Sequence, residues 1–176
     1  MAGSVHDKRK SAEPDLFEGE IPGSGSRPLL EYAVMHCDGA SSGNPGESGI
    51  GIVIDLACKE TPCKGFTEAH RFSEYIGLAT NNIAEYSALL KGLKMARSLG
   101  VKKIKIFLDS ELVVRQINGQ YKVRHKNLLP LWVRATNALN EFDEYKVSHV
   151  PREMNSEADS LAREAVKKKK GHKGRK

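Results

Sequence analysis

The sequence predicts one α/β domain in which a mixed β-sheet is flanked by helices. Three strand-like apolar runs come first, between residues 32 and 75, and the links between them are too short for a crossover helix. Near Thr80 the apolar period becomes helical, and from there helices and strands alternate. This order predicts a sheet that begins with three antiparallel strands.

The first strand is predicted over residues 32–37 and ends at Asp38. The residues Gly43-Asn44-Pro45-Gly46 have the composition of a turn, and they lead to a second strand over 50–54. The apolar alternation of residues 65–75 is looser and predicts a third strand.

The first helix is predicted from Thr80 or Asn81, either of which can cap it, to Gly100, whose left-handed conformation can end it. Its apolar residues recur at helical spacing from Ile83 to Ala96. The same reasoning predicts a strand over 101–108, helices over 110–117 and 127–139 (the second capped by Asn127), a strand over 145–150 and a helix over 156–166.

Composition and charge place the folded domain at residues 29–166. Residues 1–28 are rich in Ser, Gly, Pro and mixed charge, which predicts a disordered segment. Residues 167–176 hold seven of the 28 basic residues and no acid, which predicts a disordered basic tail. The other 21 basic residues face 22 acidic ones, so the body is nearly neutral and the tail is the expected phosphate-binding element.

Several classes of protein are excluded by composition. No apolar run approaches the length of a membrane span, and acids throughout the N-terminal segment argue against a transit peptide. The three cysteines, Cys37, Cys58 and Cys63, form no disulfide framework and lack further zinc ligands nearby. Reduced thiols and a cytoplasmic location are therefore expected.

Four acids carry the chemical hypothesis: Asp38, Glu85, Asp109 and Asp159. Each lies at the end of a predicted strand or early in a predicted helix. Taken singly, Asp38 also fits the role of an ordinary turn residue, and Glu85 and Asp159 also fit that of ordinary acids in the first turn of a helix. Brought together, their like charges are costly unless a cation relieves them, and carboxylates without thiols favour Mg²⁺ or Mn²⁺. That is a chemistry of phosphoryl transfer on nucleic acid.

The motifs around these acids resemble the signature set of type 1 ribonuclease H. The four blocks are Asp38-Gly39-Ala40-Ser41 with its turn, Thr80-Asn81-Asn82-Ile83-Ala84-Glu85, Asp109-Ser110, and His149-Val150-Pro151-Arg152 running on to Asn155 and Asp159. They occur in the family's order over residues 31–167. The resemblance implies a ribonuclease H-like fold, a five-stranded mixed sheet in which three antiparallel strands are followed by parallel ones.

The resemblance also implies an endonuclease that cuts the RNA strand of RNA–DNA hybrids, leaving 5′-phosphate and 3′-hydroxyl ends. It assigns Asp38, Glu85, Asp109 and Asp159 to two Mg²⁺ ions, with Mn²⁺ as a substitute. His149 matches a histidine that assists proton transfer or product release. The expected protein is a monomer.

Substrate contacts are implied for a further group of residues. Because the 2′-hydroxyl marks the RNA strand, the family reads it with backbone and amide groups around the acids. The matching positions in this sequence are Gly39, Ala40, Ser41, Asn44, Asn81 and Asn82, and Thr80 matches a position that helps to hold a phosphate of the DNA strand.

Three alternatives stay open at this point. They are a non-enzymatic hybrid-binding module, the ribonuclease H portion of a reverse transcriptase, and a nuclease that also cuts double-stranded RNA.

The sequence lacks the basic helix that many bacterial members insert after the third acid. We expect the basic cluster at residues 122–126 and the C-terminal tail to replace it.

Overall fold

The computed structural model of the protein describes residues 31–57 and 66–173. Residues 1–30, with the predicted disordered segment, and residues 58–65, with Cys58 and Cys63, lie outside the described ranges, as do residues 174–176. No helix in the described ranges is both long and apolar enough to cross a membrane.

Five strands form one mixed sheet. In order across the sheet, β3 (Phe66–Ala79), β2 (Gly46–Ala57) and β1 (Tyr32–Ser41) pair antiparallel, and β4 (Lys103–Leu108) and β5 (Glu144–His149) continue the sheet in parallel with β1. This confirms the predicted mixed sheet and its antiparallel start.

Helices cover both faces of the sheet. The elements outside it are α1 (Asn81–Ser98), α2 (Glu111–Ile117), α3 (Leu129–Leu139), a 3₁₀ turn (Arg152–Asn155) and α4 (Ser156–Lys173). Ile52 of β2 faces Gly92 of α1, whereas its neighbour Gly51 faces Ala158 of α4. Since successive residues of a strand point to opposite faces, α1 and α4 lie on opposite sides of the sheet.

The apolar core is formed where α1 and α3 pack near the inner strands. Its largest fully buried side chains include Tyr86, Leu89 and Leu93 of α1 and Ile104 and Ile106 of β4. These residues carry the apolar periods seen in the sequence, every third or fourth residue on the helix and every second on the strand. The core thus fixes the position of α1 over the centre of the sheet.

Helix α4 approaches the sheet at two glycines of β2. A Cβ atom at Gly51 would lie 2.1 Å from the carbonyl oxygen of Ala158, and one at Gly49 would lie 2.5 Å from that of Ala162. Ser73 of β3 adds a hydrogen bond of 2.7 Å to the carbonyl oxygen of Leu161. Close contact between the two backbones therefore depends on the missing side chains.

Three of the differences between predicted and observed element boundaries bear on the site. β1 extends to Ser41, so Asp38 lies within the strand and not just beyond it. Helix α3 begins at Leu129 without a side-chain cap, because Pro130 already favours the first helical turn, and Asn127 does not cap it.

The third difference concerns the basic tail. Helix α4 continues through Lys173, so the prediction that residues 167–173 are disordered is wrong. Lysine has a good helix propensity, and Glu164 pairs with Lys168 one turn later at 2.8 Å. These local effects prolong the helix beyond the part that packs on the sheet.

We predict that Gly51→Ala destabilises the protein by roughly 2–4 kcal/mol, because the added methyl group meets backbone atoms that cannot move independently. Urea denaturation followed by circular dichroism measures the loss. Gly77→Ala is the matched control, since its Cβ would meet nothing within 4 Å and only its positive φ of 87° opposes the change. A loss at Gly51 no larger than that at Gly77 would contradict the close-approach argument.

Candidate active site

Two of the four acids meet at the carboxyl ends of parallel strands. β1 and β4 pair in parallel with His36 beside Phe107, so the same register carried two residues further sets Asp38 beside Asp109. Asp38 is only 6% exposed. Parallel pairing of these two strands therefore brings the two carboxylates to one edge of the sheet, as the sequence predicted.

Glu85 reaches the same edge because Gly39 lets α1 come close to β1. A Cβ at Gly39 would lie 2.1 Å from the carbonyl carbon of Ala84 and 2.3 Å from the backbone nitrogen of Glu85. Thr80 caps α1 by accepting a hydrogen bond from the Ile83 N–H, as expected. The glycine next to Asp38 is thus a structural requirement for placing Glu85.

Neutral donors fix the orientation of Glu85. Asn81 Nδ2 donates to Glu85 Oε1 at 2.8 Å, and the Ser110 hydroxyl donates to Oε2 at 2.6 Å. Ser110 also caps α2 through Val113 N–H, so one side chain ties the start of α2 to the acid on α1. Asn81 was expected to contact substrate, but here its amide holds the carboxylate.

Asn155 is the neutral donor that fixes the orientation of Asp109. Its Nδ2 donates to Asp109 Oδ1 at 2.8 Å and to the carbonyl oxygen of Cys37 at 3.1 Å. Asn155 is 1% exposed, and its Oδ1 has no hydrogen-bond partner among the described residues. Sequence reasoning quoted Asn155 within a motif but did not assign it this positioning role.

Asp159 is the fourth acid, in the first turn of α4, and it differs from the others by its charged partners. Arg152 Nη2 lies 2.5 Å from Oδ1, and Arg163 Nε lies 3.1 Å from Oδ2. Asp159 accordingly raises the pKa of the Arg152 guanidinium. Sequence reasoning quoted Arg152 within a motif without assigning it this role, and it missed Arg163, although the spacing of four residues between Asp159 and Arg163 is a signal for such a pair.

The electrostatics of the site reflect crowding of like charges. Burial raises the pKa of Asp38 to about 7, and the charges of Asp109, Asp159 and Glu85 add to that shift. Burial also raises the pKa of Glu85 to about 7, against the lowering effect of its bonds from Ser110 and Asn81. Among the described residues, no Lys, Arg or His lies within 4.0 Å of the carboxylates of Asp38, Glu85 or Asp109.

Three of the four acids, Asp38, Glu85 and Asp109, line a cleft of about 580 Å³, and Asp159 is not among the described residues of its lining. Within the described part of the chain, no three His, Cys, Asp or Glu side chains already stand close enough to enclose one ion. The donors nevertheless fit a hard divalent cation, since they are crowded carboxylate oxygens without a thiol ligand or a cationic partner on three of the four acids. Three cations, Arg152, Arg163 and Lys167, line the same cleft. The lining comprises Asp38, Gly39, Ala40, Ser41, Ser42, Asn81, Glu85, Asp109, Arg152, Arg163, Val166 and Lys167.

The remaining predicted residues fall in two groups. Gly39, Ala40, Ser41 and Asn81 line the cleft, and the Ser41 hydroxyl bonds the Ala79 carbonyl oxygen at 2.9 Å. Four others do not line the described cleft: Asn44 is exposed in the turn after β1, Thr80 and Asn82 lie at the start of α1, and His149 is exposed at the end of β5, beside Leu108 in register.

Comparison with known proteins agrees with this fold. Residues 36–165 match the family described as "Reverse transcriptase-like". The bifunctional protein Rv2228c of Mycobacterium tuberculosis is 41% identical over 133 residues, which cover 76% of this chain and 35% of that protein. The chain thus spans about a third of the length of that relative.

Two solved structures are similar over the described fold. RNase H1 from the halophilic archaeon Halobacterium salinarum is 37% identical, with a TM-score of 0.70, and the match covers 78% of this chain and 98% of that one. LC11-RNase H1, solved in complex with an RNA/DNA hybrid, is 35% identical, with a TM-score of 0.67 and coverage of 77% and 97%. The chain belongs to the type 1 ribonuclease H family.

We predict that Asp38→Asn stabilises the metal-free protein by roughly 1–3 kcal/mol at pH 8. Between its ordinary pKa of 3.8 and the raised value of about 7, the folded protein holds a proton that the unfolded chain has released. The free energy of unfolding therefore falls as pH rises through this interval, and the amide removes that loss. Chemical denaturation in EDTA at pH 4 and pH 8 measures the difference, which should disappear at pH 4.

The control for this prediction is Glu153→Gln, which neutralises an exposed acid near the site. It should change the free energy of unfolding by less than about 0.5 kcal/mol at either pH. Equal stability of Asp38→Asn and wild type at pH 8 would show that carboxylate crowding does not burden the fold.

Proposed function

We propose that this protein is a metal-dependent endonuclease that hydrolyses the RNA strand of RNA–DNA hybrids and leaves 5′-phosphate and 3′-hydroxyl ends. The observation that carries the proposal is the convergence of Asp38, Glu85 and Asp109 on a cleft that is also lined by cations. The hybrid seen with LC11-RNase H1, a relative of this chain, supports the choice of substrate.

The metal ligands in this proposal are Asp38, Glu85, Asp109 and Asp159, with Mg²⁺ as the ion and Mn²⁺ as a substitute. When bound, two such ions supply activation of the attacking water and stabilisation of the leaving 3′ oxygen. The protein itself keeps the ligands aligned. Ser110 and Asn81 hold both oxygens of Glu85, and Asn155 holds Asp109.

The cations that line the cleft serve to bind the nucleic-acid backbone. Arg152, Arg163 and Lys167 line the same cleft as the acids, and a guanidinium can donate two parallel hydrogen bonds to a phosphate. Arg163 and Lys167 are one turn apart on α4, so both reach the same side of the helix. A backbone bound there would lie across the carboxylates.

Recognition of the RNA strand is assigned to the floor of the cleft. Gly39 and Ala40 present backbone groups beside Asp38, where a 2′-hydroxyl can act as both donor and acceptor. Glu85 stands next to them and can accept from such a hydroxyl. Contacts of Asn44, Thr80 and Asn82 with the hybrid belong to the outer rim of this interface.

His149 is assigned to proton transfer or product release. It is exposed at the end of β5 and neighbours the strand that carries Asp109. An exposed imidazole can both accept and donate a proton.

We predict that cleavage depends on the acids and on metal. Asp38→Asn should lower the rate of hybrid cleavage by roughly two orders of magnitude or more, because the carboxylate ligand is lost while the side-chain shape is kept. A 5′-labelled RNA strand in a hybrid, incubated with Mg²⁺ or with EDTA, measures the rate. Glu153→Gln is the control and should cut as wild type does.

The same assay includes single-stranded RNA and double-stranded RNA of identical sequence. Binding of the hybrid by wild type without any cleavage in Mg²⁺ or Mn²⁺ would refute the enzymatic proposal and favour a binding module. Undiminished cutting by Asp38→Asn would refute the assigned mechanism.

We predict that Lys167→Gln weakens hybrid binding and lowers the slope of log affinity against log salt by about one. Lys167 lines the cleft on the helical extension of α4, so its charge is positioned to neutralise a phosphate. Fluorescence anisotropy with a labelled hybrid in EDTA, at several salt concentrations, measures the slope. Lys94→Gln on the exposed side of α1 is the control, and an equal effect there would remove Lys167 from the interface.

A further inference from the structure

Asp159 is held by two arginines, one at each carboxylate oxygen. Arg152 Nη2 lies 2.5 Å from Oδ1 of Asp159, and Arg163 Nε lies 3.1 Å from Oδ2. One arginine precedes Asp159 in the sequence and the other follows it, since Arg152 opens the 3₁₀ turn before α4 and Arg163 lies one helical turn after Asp159. Neither oxygen of Asp159 is left without a cationic partner.

This pairing sets Asp159 apart from the other three acids. Glu85 and Asp109 are held by neutral donors, which leave their negative charge available to a cation. At Asp159 the charge is already balanced by guanidinium groups. A metal ion that takes Asp159 as a ligand must therefore displace or shift at least one arginine.

Both arginines are exposed enough to turn away from Asp159 toward another anion. Their side chains are 61% and 52% exposed, whereas that of Asp159 is 13% exposed, and both arginines line the cleft. Exposed guanidinium groups on long side chains can turn toward a phosphate in the cleft without repacking the core. The carboxylate is fixed and the cations are the movable partners.

We propose that Arg152 and Arg163 are positioning residues that compete with the metal ion for Asp159, and so keep this ligand closed until an anionic backbone enters the cleft. The inference rests on the proposed function, because it takes a divalent ion as the cofactor of the site. It adds a cause for ordered binding of metal: the three acids without a cationic partner among the described residues are open to metal in the free protein, and the fourth is not.

The test is a titration of metal-free protein with Mg²⁺ alone, followed by isothermal calorimetry. Arg152→Gln/Arg163→Gln should bind Mg²⁺ roughly three- to tenfold more tightly than wild type, since removing two exposed ion pairs frees Asp159. The same change made in an Asp159→Asn background should give no gain. Circular dichroism in EDTA confirms that all variants are folded.

Lys167→Gln is the matched control. Lys167 lines the same cleft as the two arginines, but it has no ion pair with Asp159 among the described contacts. Its Mg²⁺ affinity should stay within about twofold of wild type. An equal gain in this control, or a gain that persists with Asn at position 159, would overturn the proposal in favour of a general charge effect.

Unchanged or weaker Mg²⁺ binding by the double variant, or no binding by any variant, would also overturn the proposal. No nucleic acid and no turnover enter the titration. Its failure is thus separate from failure of the proposed activity, which the cleavage assay on wild type decides by itself.

Discussion

Close approach of helices to the sheet is the constraint on which the rest of the structure depends. Helix α1 meets β1 at Gly39, and α4 meets β2 at Gly49 and Gly51, where added Cβ atoms would lie 2.1–2.5 Å from helix backbone atoms. Because α1 and α4 lie on opposite faces, the sheet is held tightly between them. Each helix brings one acid toward the edge where β1 and β4 end, so backbone proximity decides whether a site exists at all.

The site gathers more negative charge than its burial favours. Burial and like charges raise the pKa of Asp38 and of Glu85 to about 7. The folded protein therefore disfavours the ionised form of both carboxyl groups. A stable apolar core can carry such a burden, and a divalent ion can remove it. Repulsion among the buried carboxylates thus links the fold to its proposed cofactor. The same crowding that disfavours the ionised carboxylates without a cation favours cation binding.

Sequence reasoning could predict the mixed sheet with its antiparallel start and could propose four acids for one site, because strand and helix periods and short motifs are local signals. It could not find the glycines of β2, since Gly49 and Gly51 look like ordinary strand glycines until a helix lies over them. Arg152 and Arg163 were missed for a similar reason: their role depends on a common partner, Asp159. The helical course of residues 167–173 was missed because charge density was taken as a sign of disorder, while lysine propensity favoured the helix.

Helix α4 joins these features in one element. Asp159, Arg163 and Lys167 follow each other at intervals of four residues, so they lie along one side of the helix, and Arg163 and Lys167 line the cleft. The glycines of β2 fix the height of that side above the sheet. A shift of α4 would therefore move the fourth acid, its arginine partner and the cleft lysine together, so the proposed metal ligands and the proposed backbone-binding cations depend on the same packing contact.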